Sequence, residues 1–326
     1  MTKRIFILMM AMLPVALWAQ FAPAAGLPGS TAIHADSSAF VAWATGCTVE
    51  RGPQRIDKPD LGVASFGDET MAVGRPGGTM DVVSLGDGGT AILTFDSPIC
   101  NGEGPDFAVF ENGFANAQNP DCYALELAFV EVSSDGVNFF RFPAVTRVQS
   151  ETQLGNGGCI DPCQLHNFAS KYEAFYGTPF DLDEVEDNEL LDKSRITHVR
   201  LIDVVGCIDP QYASYDSEGH IINDPWPTPF PSSGFDLDAV GVIHDLAHND
   251  VPEIGAETVS VYPNPVNGQL NIKAENLQLV EIYNVVGQQV MTSTETVIDM
   301  SPLMEGVYFV RMVCEGGTFV KRIVKQ

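Results

Sequence analysis

Short apolar runs alternate with turn-forming residues along most of the chain from Gly89 onwards. The Asp-Gly of SSDGVN, which lies between two of these runs, is typical of a tight hairpin turn. Neither an alternation of strands with helices nor a long helical period competes, so the pattern predicts an all-β fold, a β-sandwich of the jelly-roll type. The predicted strands are rich in valine, isoleucine and phenylalanine and comprise TAILTF, DFAVFE, YALELAFVEVSS, NFFRF, THVRLIDVV and FDLDAVGVI.

Two long stretches between these runs, 144–195 and 206–234, are predicted to be loops at the ends of the sandwich. Within the first stretch, FDLDEVEDNELLDKS has the composition of one short acidic helix. Long loops on a rigid scaffold commonly carry function, so both stretches are candidates for binding residues.

The two ends of the chain differ from its middle. Residues 1–19 have a Lys-Arg head, a short apolar run and small residues near Ala19, which is the pattern of a secretory signal peptide. The apolar run is shorter than the ~20 residues of a membrane span, and no later segment is predicted to cross a membrane. Residues 20–248 form the predicted jelly-roll passenger, 249–257 indicate a linker, and 258–326 have the short strands of a small Ig-like β-sandwich.

Acidic residues are concentrated in the middle of the chain. Residues 20–257 contain 37 acidic and 10 basic residues, a net charge of −27, whereas the region from 258 onwards has 6 acidic and 5 basic residues. Such a field repels nucleic acid and anionic membranes, which argues against both as partners. Divalent cations and neutral or cationic ligands remain open.

Seven cysteines are present, at positions 47, 100, 122, 159, 163, 207 and 314. Export to an oxidising compartment favours disulfides, and the six passenger cysteines permit three bridges in any of fifteen connectivities. Cys159 and Cys163 in CIDPC have the spacing of a metal pair, but no second close pair accompanies them, as a zinc site would require.

The C-terminal region carries a specific family resemblance. The segments YPNPVNGQLNI, VEIYNVVGQQV, LMEGVYFVRM and FVKRIVKQ follow one another in residues 258–326, and this region resembles the type A C-terminal sorting domain of the type IX secretion system. The resemblance implies a partner, the type IX machinery, passage across the outer membrane, removal of this domain, and release or surface attachment of the passenger. The matching elements are Pro263-Asn264-Pro265, Gly287, Gly306-Val307-Tyr308 and Lys321-Arg322.

The passenger resembles bacterial cell-surface proteins, and its strand rhythm is similar to that of discoidin-like, galactose-binding-type jelly rolls. The similarity lies in VEVSSDGVNFFRF, THVRLIDV and GFDLDAVGVI. It implies a binding module, often with a structural calcium ion, whose ligand is a glycan or another small surface ligand.

Carboxylates recur on the apolar faces of the predicted strands. Because neighbouring strand residues point to opposite sides, Glu111 shares a face with Phe107 and Val109. The same alternation places Asp203 with Val199, Leu201 and Val205, Glu131 with Leu125, Leu127 and Phe129, and Asp236 and Asp238 with Val240 and Val242. An unpaired buried carboxylate costs several kcal/mol or becomes protonated, so something must compensate these groups.

The interpretation we prefer is a Ca²⁺ site, since a hard cation takes six to eight oxygen ligands. The predicted ligands are Glu111, Asn112, Asp236 and Asp238, with Asp203 or Asp106. The alternative is that these carboxylates accept backbone N–H bonds at strand ends or pair with Arg200 or Arg141.

Aromatic residues in one proline-rich loop are the second candidate site. In NDPWPTPFPSSGF, Trp226 and Phe230 lie among four prolines, and Tyr212 and Tyr215 lie earlier in the same connection. Exposed, rigid aromatics suit stacking on sugar rings or other flat ligands. The alternative is that Trp226 closes the end of the core.

No motif in the sequence indicates catalysis. A Gly-x-Ser-x-Gly elbow, a phosphate loop and a dinucleotide fingerprint are all absent, so no catalytic residue is assigned. The sequence therefore favours an exported surface or secreted binding protein, with carbohydrate as the leading ligand class. The alternatives are a secreted hydrolase acting on glycan or peptide, and a structural adhesin or surface component.

Overall fold

The structure is a computed structural model that describes residues 21–117, 119–249, 259–274, 276–285, 287–314 and 317–326. The predicted signal peptide and nearly all of the predicted linker lie outside these ranges. The chain divides into two compact units between residues 249 and 250, and each unit is described by itself.

The first unit, here called the passenger, is built almost entirely of strands. Its only α-helix is α1, Leu246–Asn249, within the described part, and short 3₁₀ turns cover Pro59–Leu61, Glu69–Ala72, Pro162–Gln164 and Leu182–Glu184. The strands are β1 Ile33–His34, β2 Ala42–Trp43, β3 Gly46–Glu50, β4 Val83–Ser84, β5 Thr90–Ile99, β6 Phe107–Glu111, β7 Phe114–Asn116, β8 Asn119–Ala124, β9 Ala128–Ser133, β10 Phe140–Arg141, β11 Val145–Thr146, β12 Leu165–His166, β13 Tyr176–Phe180, β14 Ile196–Asp203 and β15 Asp236–Val242.

Two antiparallel sheets form the passenger sandwich. One sheet has the strand order β1-β13-β6-β15-β2, with β4 also paired to β15, and the other has the order β10-β9-β14-β5-β3. The pairs β7–β8 and β11–β12 form two small additional sheets. The prediction of an all-β sandwich is confirmed.

The main core lies between the two sheets and draws apolar side chains from both. Val109 of β6 and Val240 of β15 belong to the same buried cluster as Leu93 of β5 and Val130 of β9. Phe107 stacks on Phe180 with ring centroids 5.4 Å apart. Burying apolar surface on both inner faces stabilises the sandwich by roughly 25 cal/mol per Å² removed from water.

The structure corrects the predicted faces of β15. Leu237 belongs to the main core cluster together with Val240 and Val242, whereas strict alternation would have placed Asp236 and Asp238 there. The reason is a register shift between Leu237 and Ala239 in the pairing with β6. Such a bulge adds one residue to the strand, so the side chains after it point to the opposite face from the one that alternation predicts. Alternation along the strand therefore fails at the bulge.

Three other sequence expectations are wrong. The run YALELAFVEVSS is not one strand, because β8 ends at Ala124 and β9 begins at Ala128. The acidic segment FDLDEVEDNELLDKS forms only the 3₁₀ turn Leu182–Glu184, in which Asp181 caps the turn by accepting the Asp183 N–H. The connection 144–195 also contains β11, β12 and β13, so it is not a plain loop.

The second unit is a small β-sandwich with its own core. Its sheets have the orders β16-β17-β20 and β19-β18-β21-β22. Asn264 of the predicted Pro-Asn-Pro element donates to the Arg322 carbonyl at 3.0 Å and accepts the Val324 N–H at 2.9 Å, which joins this element to the last strand. The strands are β16 Ser260–Tyr262, β17 Gln269–Lys273, β18 Leu277–Asn284, β19 Gln289–Ser293, β20 Val297–Asp299, β21 Gly306–Cys314 and β22 Gly317–Lys325.

One disulfide, Cys122–Cys159, is formed within the described residues, with the two cysteines 37 positions apart. It joins β8 to the loop that precedes the 3₁₀ turn Pro162–Gln164. Cys47, Cys163 and Cys207 carry free thiols. Three bridges are therefore not seen, and the single bridge fastens the loop around Asn156 to β8.

We expect removal of this disulfide to destabilise the passenger. In the chain-entropy account, closing a loop of this length raises the free energy of the unfolded chain by about 3–4 kcal/mol. The double variant Cys122→Ser/Cys159→Ser should lower the free energy of unfolding by that order in urea denaturation, and Cys163→Ser should lower it far less. Equal effects of the two variants would contradict the assignment.

Candidate functional site

Four strand ends meet at one end of the passenger sandwich, and the candidate site lies there. β6 ends at Glu111 and β14 at Asp203, whereas β15 begins at Asp236 and β9 at Ala128. In antiparallel pairs the end of one strand adjoins the beginning of its neighbour, so these carboxylates come together. The Phe235 N–H donates to Asp203 Oδ1 at 2.7 Å and joins the two sheets.

Four of the predicted calcium ligands lie at this end, namely Glu111, Asn112, Asp203 and Asp236. Asn112 Nδ2 donates to Asp236 Oδ2 at 2.9 Å, and the other oxygen of Asp236 accepts from the serine hydroxyl of β4. Glu111 Oε2 accepts from the Gly113 N–H at 2.7 Å and from Ser170 Oγ at 2.9 Å. These donors hold the carboxylates without neutralising their charge.

Two predicted ligands lie away from this group. Asp106 accepts the backbone N–H of Gly102 at 2.7 Å and that of Leu182 at 2.8 Å. Asp238 Oδ1 accepts the Gly77 N–H at 2.9 Å. Neither lines the cavities described below. The six predicted ligands are therefore not assembled in one place, and in the described ranges no three His, Cys, Asp or Glu side chains are grouped so that they could hold a metal ion.

A cavity of about 10 Å³, here called the inner cavity, lies next to Asp203. Three further carboxylates line it, from Asp87, Glu126 and Asp224. This volume is roughly that needed for one water molecule or one ion. Asp203 Oδ2 accepts the Gly88 N–H at 2.8 Å, so its partner is an uncharged backbone donor rather than a positively charged side chain.

An open cleft of about 220 Å³, here called the acidic cleft, adjoins the inner cavity. Glu126, Pro225 and Thr228 line both. The remaining walls of the acidic cleft come from Glu111, Asn112, Phe114, Ala124, Leu125, Asn156, Phe230, Ser232 and Asp236. The cleft thus combines acidic and amide groups with aromatic side chains.

Burial and mutual repulsion perturb the carboxylates of the acidic cleft. The pKa of Glu111 is raised well above its ordinary value by burial and then by the negative charge of Asp236. The pKa of Glu126 is raised well above its ordinary value by burial and by repulsion from the carboxylates around it. Glu126 is half-buried and lines both cavities. Burial raises the pKa of Asp236 to about 6.

The carboxylates of the inner cavity show the same effect. Burial, followed by repulsion from Asp87 and Asp224, raises the pKa of Asp203 well above its ordinary value. Burial also raises the pKa of Asp224 well above its ordinary value. Burial raises the pKa of Asp87 as well, although the hydrogen bond from the Trp226 indole partly opposes this effect. Within the described residues, no Lys or Arg forms an ion pair with Asp203, Asp224 or Glu126.

Glu131 shows how the same fold neutralises a buried carboxylate. It lies on β9, is 5% exposed, and forms ion pairs with Arg141 at 2.8 Å and with Arg200. The predicted pairing with these arginines is therefore seen at Glu131. Among the residues that the structure describes, the carboxylates of the two cavities have no such partners, which distinguishes them from a structural ion pair.

Sequence reasoning missed Asp87, Glu126 and Asp224. Asp87 and Asp224 belong to loops, so no strand alternation marks them, and Glu126 was hidden inside a run interpreted as one continuous strand. The available signals were local: Asp87 stands between two glycines, and Asp224 is the second residue of the proline-rich loop.

The four predicted aromatic residues do not lie together. Phe230 is 45% exposed and lines the acidic cleft, whereas Trp226 is half-buried and lines the inner cavity. The Trp226 indole N–H donates to Asp87 Oδ2 at 2.9 Å, and the Arg55 guanidinium lies 5.3 Å from its ring centroid. Tyr212 and Tyr215 line neither cavity.

Comparison with known families identifies the second unit. Residues 260–326 match the family described as "Secretion system C-terminal sorting domain". This region is a type IX sorting domain, and the protein is exported across the outer membrane to the cell surface or the medium. No helix in the described ranges is both long and apolar enough to cross a membrane.

Comparisons of the whole chain give only distant similarities. No curated protein matches it. The BSP domain of a biofilm associated protein is 10% identical over 73% of this chain and 48% of that chain, with a TM-score of 0.18. β-Glucuronidases of Faecalibacterium prausnitzii and Ruminococcus gnavus are 11% and 9% identical, over 88% and 94% of this chain and 45% of each enzyme, with TM-scores of 0.19 and 0.21. The chain spans about half the length of these structures.

Ionisation of the buried carboxylates should make stability fall as pH rises. The folded protein holds the Asp236 proton up to about pH 6, whereas the unfolded chain releases it near 3.8, so stability is lost across this window. The full shift corresponds to about 3 kcal/mol. In urea denaturation with chelator, the free energy of unfolding of Asp236→Asn, taken relative to that of the native chain, should therefore increase from pH 4.5 to pH 7.5.

Asp60→Asn is the matched control for this measurement, because Asp60 is exposed in the 3₁₀ turn Pro59–Leu61. The free energy of unfolding of Asp60→Asn should differ from that of the native chain by the same amount at both pH values. If the Asp236→Asn difference were equally independent of pH, the raised pKa of Asp236 would be contradicted.

Proposed function

We propose that the exported passenger is a binding protein whose ligand is a neutral carbohydrate and whose binding site is the acidic cleft. The observation that carries this proposal is the composition of that cleft. Phe230 and Phe114, 45% and 62% exposed, line it together with Glu111, Asn112 and Asp236. Aromatic faces stack on the C–H faces of sugar rings, and carboxylates and amides accept hydrogen bonds from sugar hydroxyls.

The carboxylates of the cleft support a neutral ligand over an anionic one at this site. The net charge of −27 on residues 20–257 acts at long range and is screened by salt, so it slows the approach of uronic acids and sulfated sugars without preventing their binding. Within the cleft, Glu111 and Asp236 would add a local repulsion. Neutral hexoses, or sugars that carry an amine, meet neither barrier.

Ca²⁺ is the cation that we propose to neutralise the carboxylates beneath the cleft. Asp87, Glu126, Asp203 and Asp224 supply oxygen ligands only, which is the donor set that Ca²⁺ prefers. Their oxygens would have to turn towards a common point, since no such grouping is present among the described residues. A bound cation would keep these carboxylates ionised and fix the wall that the two cavities share.

A hydrolase acting on glycan is the second candidate, and one observation favours it. Glu111 and Glu126 line an open cleft, and burial together with the neighbouring carboxylates raises the pKa of each well above its ordinary value, which favours the protonated form. A protonated carboxyl beside an ionised one is the pair that glycoside hydrolysis requires. Binding without turnover distinguishes the first proposal from this one.

Substitution of Phe230 should test the ligand site. Glycan-array screening followed by calorimetry should find a neutral oligosaccharide that binds, and Phe230→Ala should weaken it about tenfold because a stacking face is lost. Tyr215→Ala is the matched control, since Tyr215 is 46% exposed but lies outside the cleft. Preference for uronic acid sugars, or equal effects of both substitutions, would contradict the proposal. If the native chain instead released a sugar product and Glu111→Gln released none, the hydrolase would be favoured.

Ca²⁺ should stabilise the protein through the inner cavity. At a concentration 100-fold above its dissociation constant, binding adds about 2.7 kcal/mol, which raises the melting temperature by about 5–10 °C. Asp224→Asn should abolish most of this shift, whereas Asp60→Asn should leave it intact. Unchanged melting with Ca²⁺ and with chelator, together with a flat calorimetric titration, would exclude the cation.

A further inference from the structure

A third and larger cavity lies beside β12 and β13, away from the residues of the acidic cleft. It encloses about 600 Å³, which is within the range of small-molecule sites. Much of its wall is apolar, with Phe21, Ile33, Pro105 and Pro179 contributing. We call it the lysine cavity, because Lys171 also lines it.

Lys171 is an unusual residue for such a wall. It is 4% exposed, and its ammonium donates one hydrogen bond, to the Leu165 carbonyl at 2.5 Å. No carboxylate lies within ion-pair distance of Nζ among the described residues. An ammonium has three N–H donors, so Lys171 keeps donor capacity for a group inside the cavity.

The aromatic rings near the ammonium do not neutralise it. Nζ lies 5.9 Å from the ring centroid of Phe21 and 5.9 Å from that of Tyr172, contacts that stabilise a cation only modestly. A buried ammonium without an anion is costly, and a charge-assisted hydrogen bond to a carboxylate would relieve that cost.

The acidic groups of the cavity are already engaged, and they limit how many negative charges a ligand can carry. Glu184 accepts from Asn167 Nδ2 at 2.5 Å and lies 3.3 Å from His166 Nε2. Asp181 accepts the Asp183 N–H at 2.9 Å. A ligand with a second anionic group would meet these carboxylates, whereas an apolar group would meet the phenylalanine and proline side chains.

We propose that the lysine cavity binds an apolar monocarboxylate, with its carboxylate on the Lys171 ammonium and its hydrocarbon body against the apolar wall. The size of the cavity, the unpaired ammonium and the apolar lining each match one part of such a molecule. This site is independent of the carbohydrate proposal, because it shares no lining residue with the acidic cleft.

The ionisation of Lys171 supplies a second readout. Burial lowers its pKa to about 8, against the smaller opposing effects of Cys163 and Asp161. Burial raises the pKa of the Cys163 thiol, and the other titratable groups that line the cavity are His166, Asp181 and Glu184. Because the ligand needs the charged amine, its affinity should fall as pH rises above about 8, while a carboxylate ligand stays ionised throughout.

The test uses calorimetry on the full chain with decanoate, decanol and decyltrimethylammonium. Decanoate should bind, and Lys171→Met should weaken it at least tenfold, which is the order expected for losing a hydrogen bond to a charged group. Decanol should bind weakly to both proteins and equally. Lys171→Arg should restore most of the decanoate affinity, and Lys193→Met, which changes an amine that pairs with Asp187, should have no effect.

Two further results decide the proposal. A measurement on the native chain does not depend on whether Lys171→Met folds: with a Lys171 pKa of about 8, decanoate should bind about thirtyfold more weakly at pH 9.5 than at pH 7. The proposal is overturned if decanoate does not bind, if decyltrimethylammonium binds as tightly as decanoate, or if affinity is the same at both pH values.

Discussion

Charge repulsion among buried carboxylates is the constraint on which this structure depends. Glu111, Glu126, Asp203, Asp224 and Asp236 come together where four strand ends meet, and no basic side chain forms an ion pair with any of them in the described residues. Backbone N–H groups at the strand ends hold most of these carboxylates in place. Such donors orient a carboxylate but do not cancel its charge, so the group must be protonated or bind a cation.

The contrast with Glu131 makes this arrangement informative. The passenger has the means to pair a buried carboxylate with two arginines, and it does so on β9. At the acidic cleft, whose strands β6 and β15 belong to the other sheet, no such arginine partner is present within the described residues. Perturbed carboxylates in a cleft are the physical signature of a functional site, whereas paired ones serve the fold.

One segment of chain connects the two candidate sites. Ser170 donates to Glu111 at the acidic cleft, and the next residue, Lys171, lines the lysine cavity. Neighbouring residues of the connection between β12 and β13 therefore serve two separate sites.

Sequence reasoning succeeded where the signal was local and failed where it was long-range. The strands β5, β6, β14 and β15 follow from apolar runs bounded by turn residues, and the sorting domain follows from motifs close together in the chain. The bulge in β15 was invisible, because it depends on pairing with β6 rather than on the residues of β15.

The assembly of the site was equally hidden. Asp87 and Asp224 are more than 130 positions apart in the printed sequence. Only the closure of the sandwich brings them to one cavity with Asp203. The predicted aromatic set was divided for the same reason, since Phe230 and Trp226 reach the cavities while Tyr212 and Tyr215 stay on another part of the loop.

The most direct measurement is a high-resolution crystal structure of the protein grown with Ca²⁺, with anomalous differences collected at long wavelength. The account predicts an anomalous peak in the inner cavity, with oxygens of Asp87, Glu126, Asp203 and Asp224 turned towards it. An empty inner cavity at saturating Ca²⁺, with short hydrogen bonds showing these carboxyls to be protonated, would contradict it.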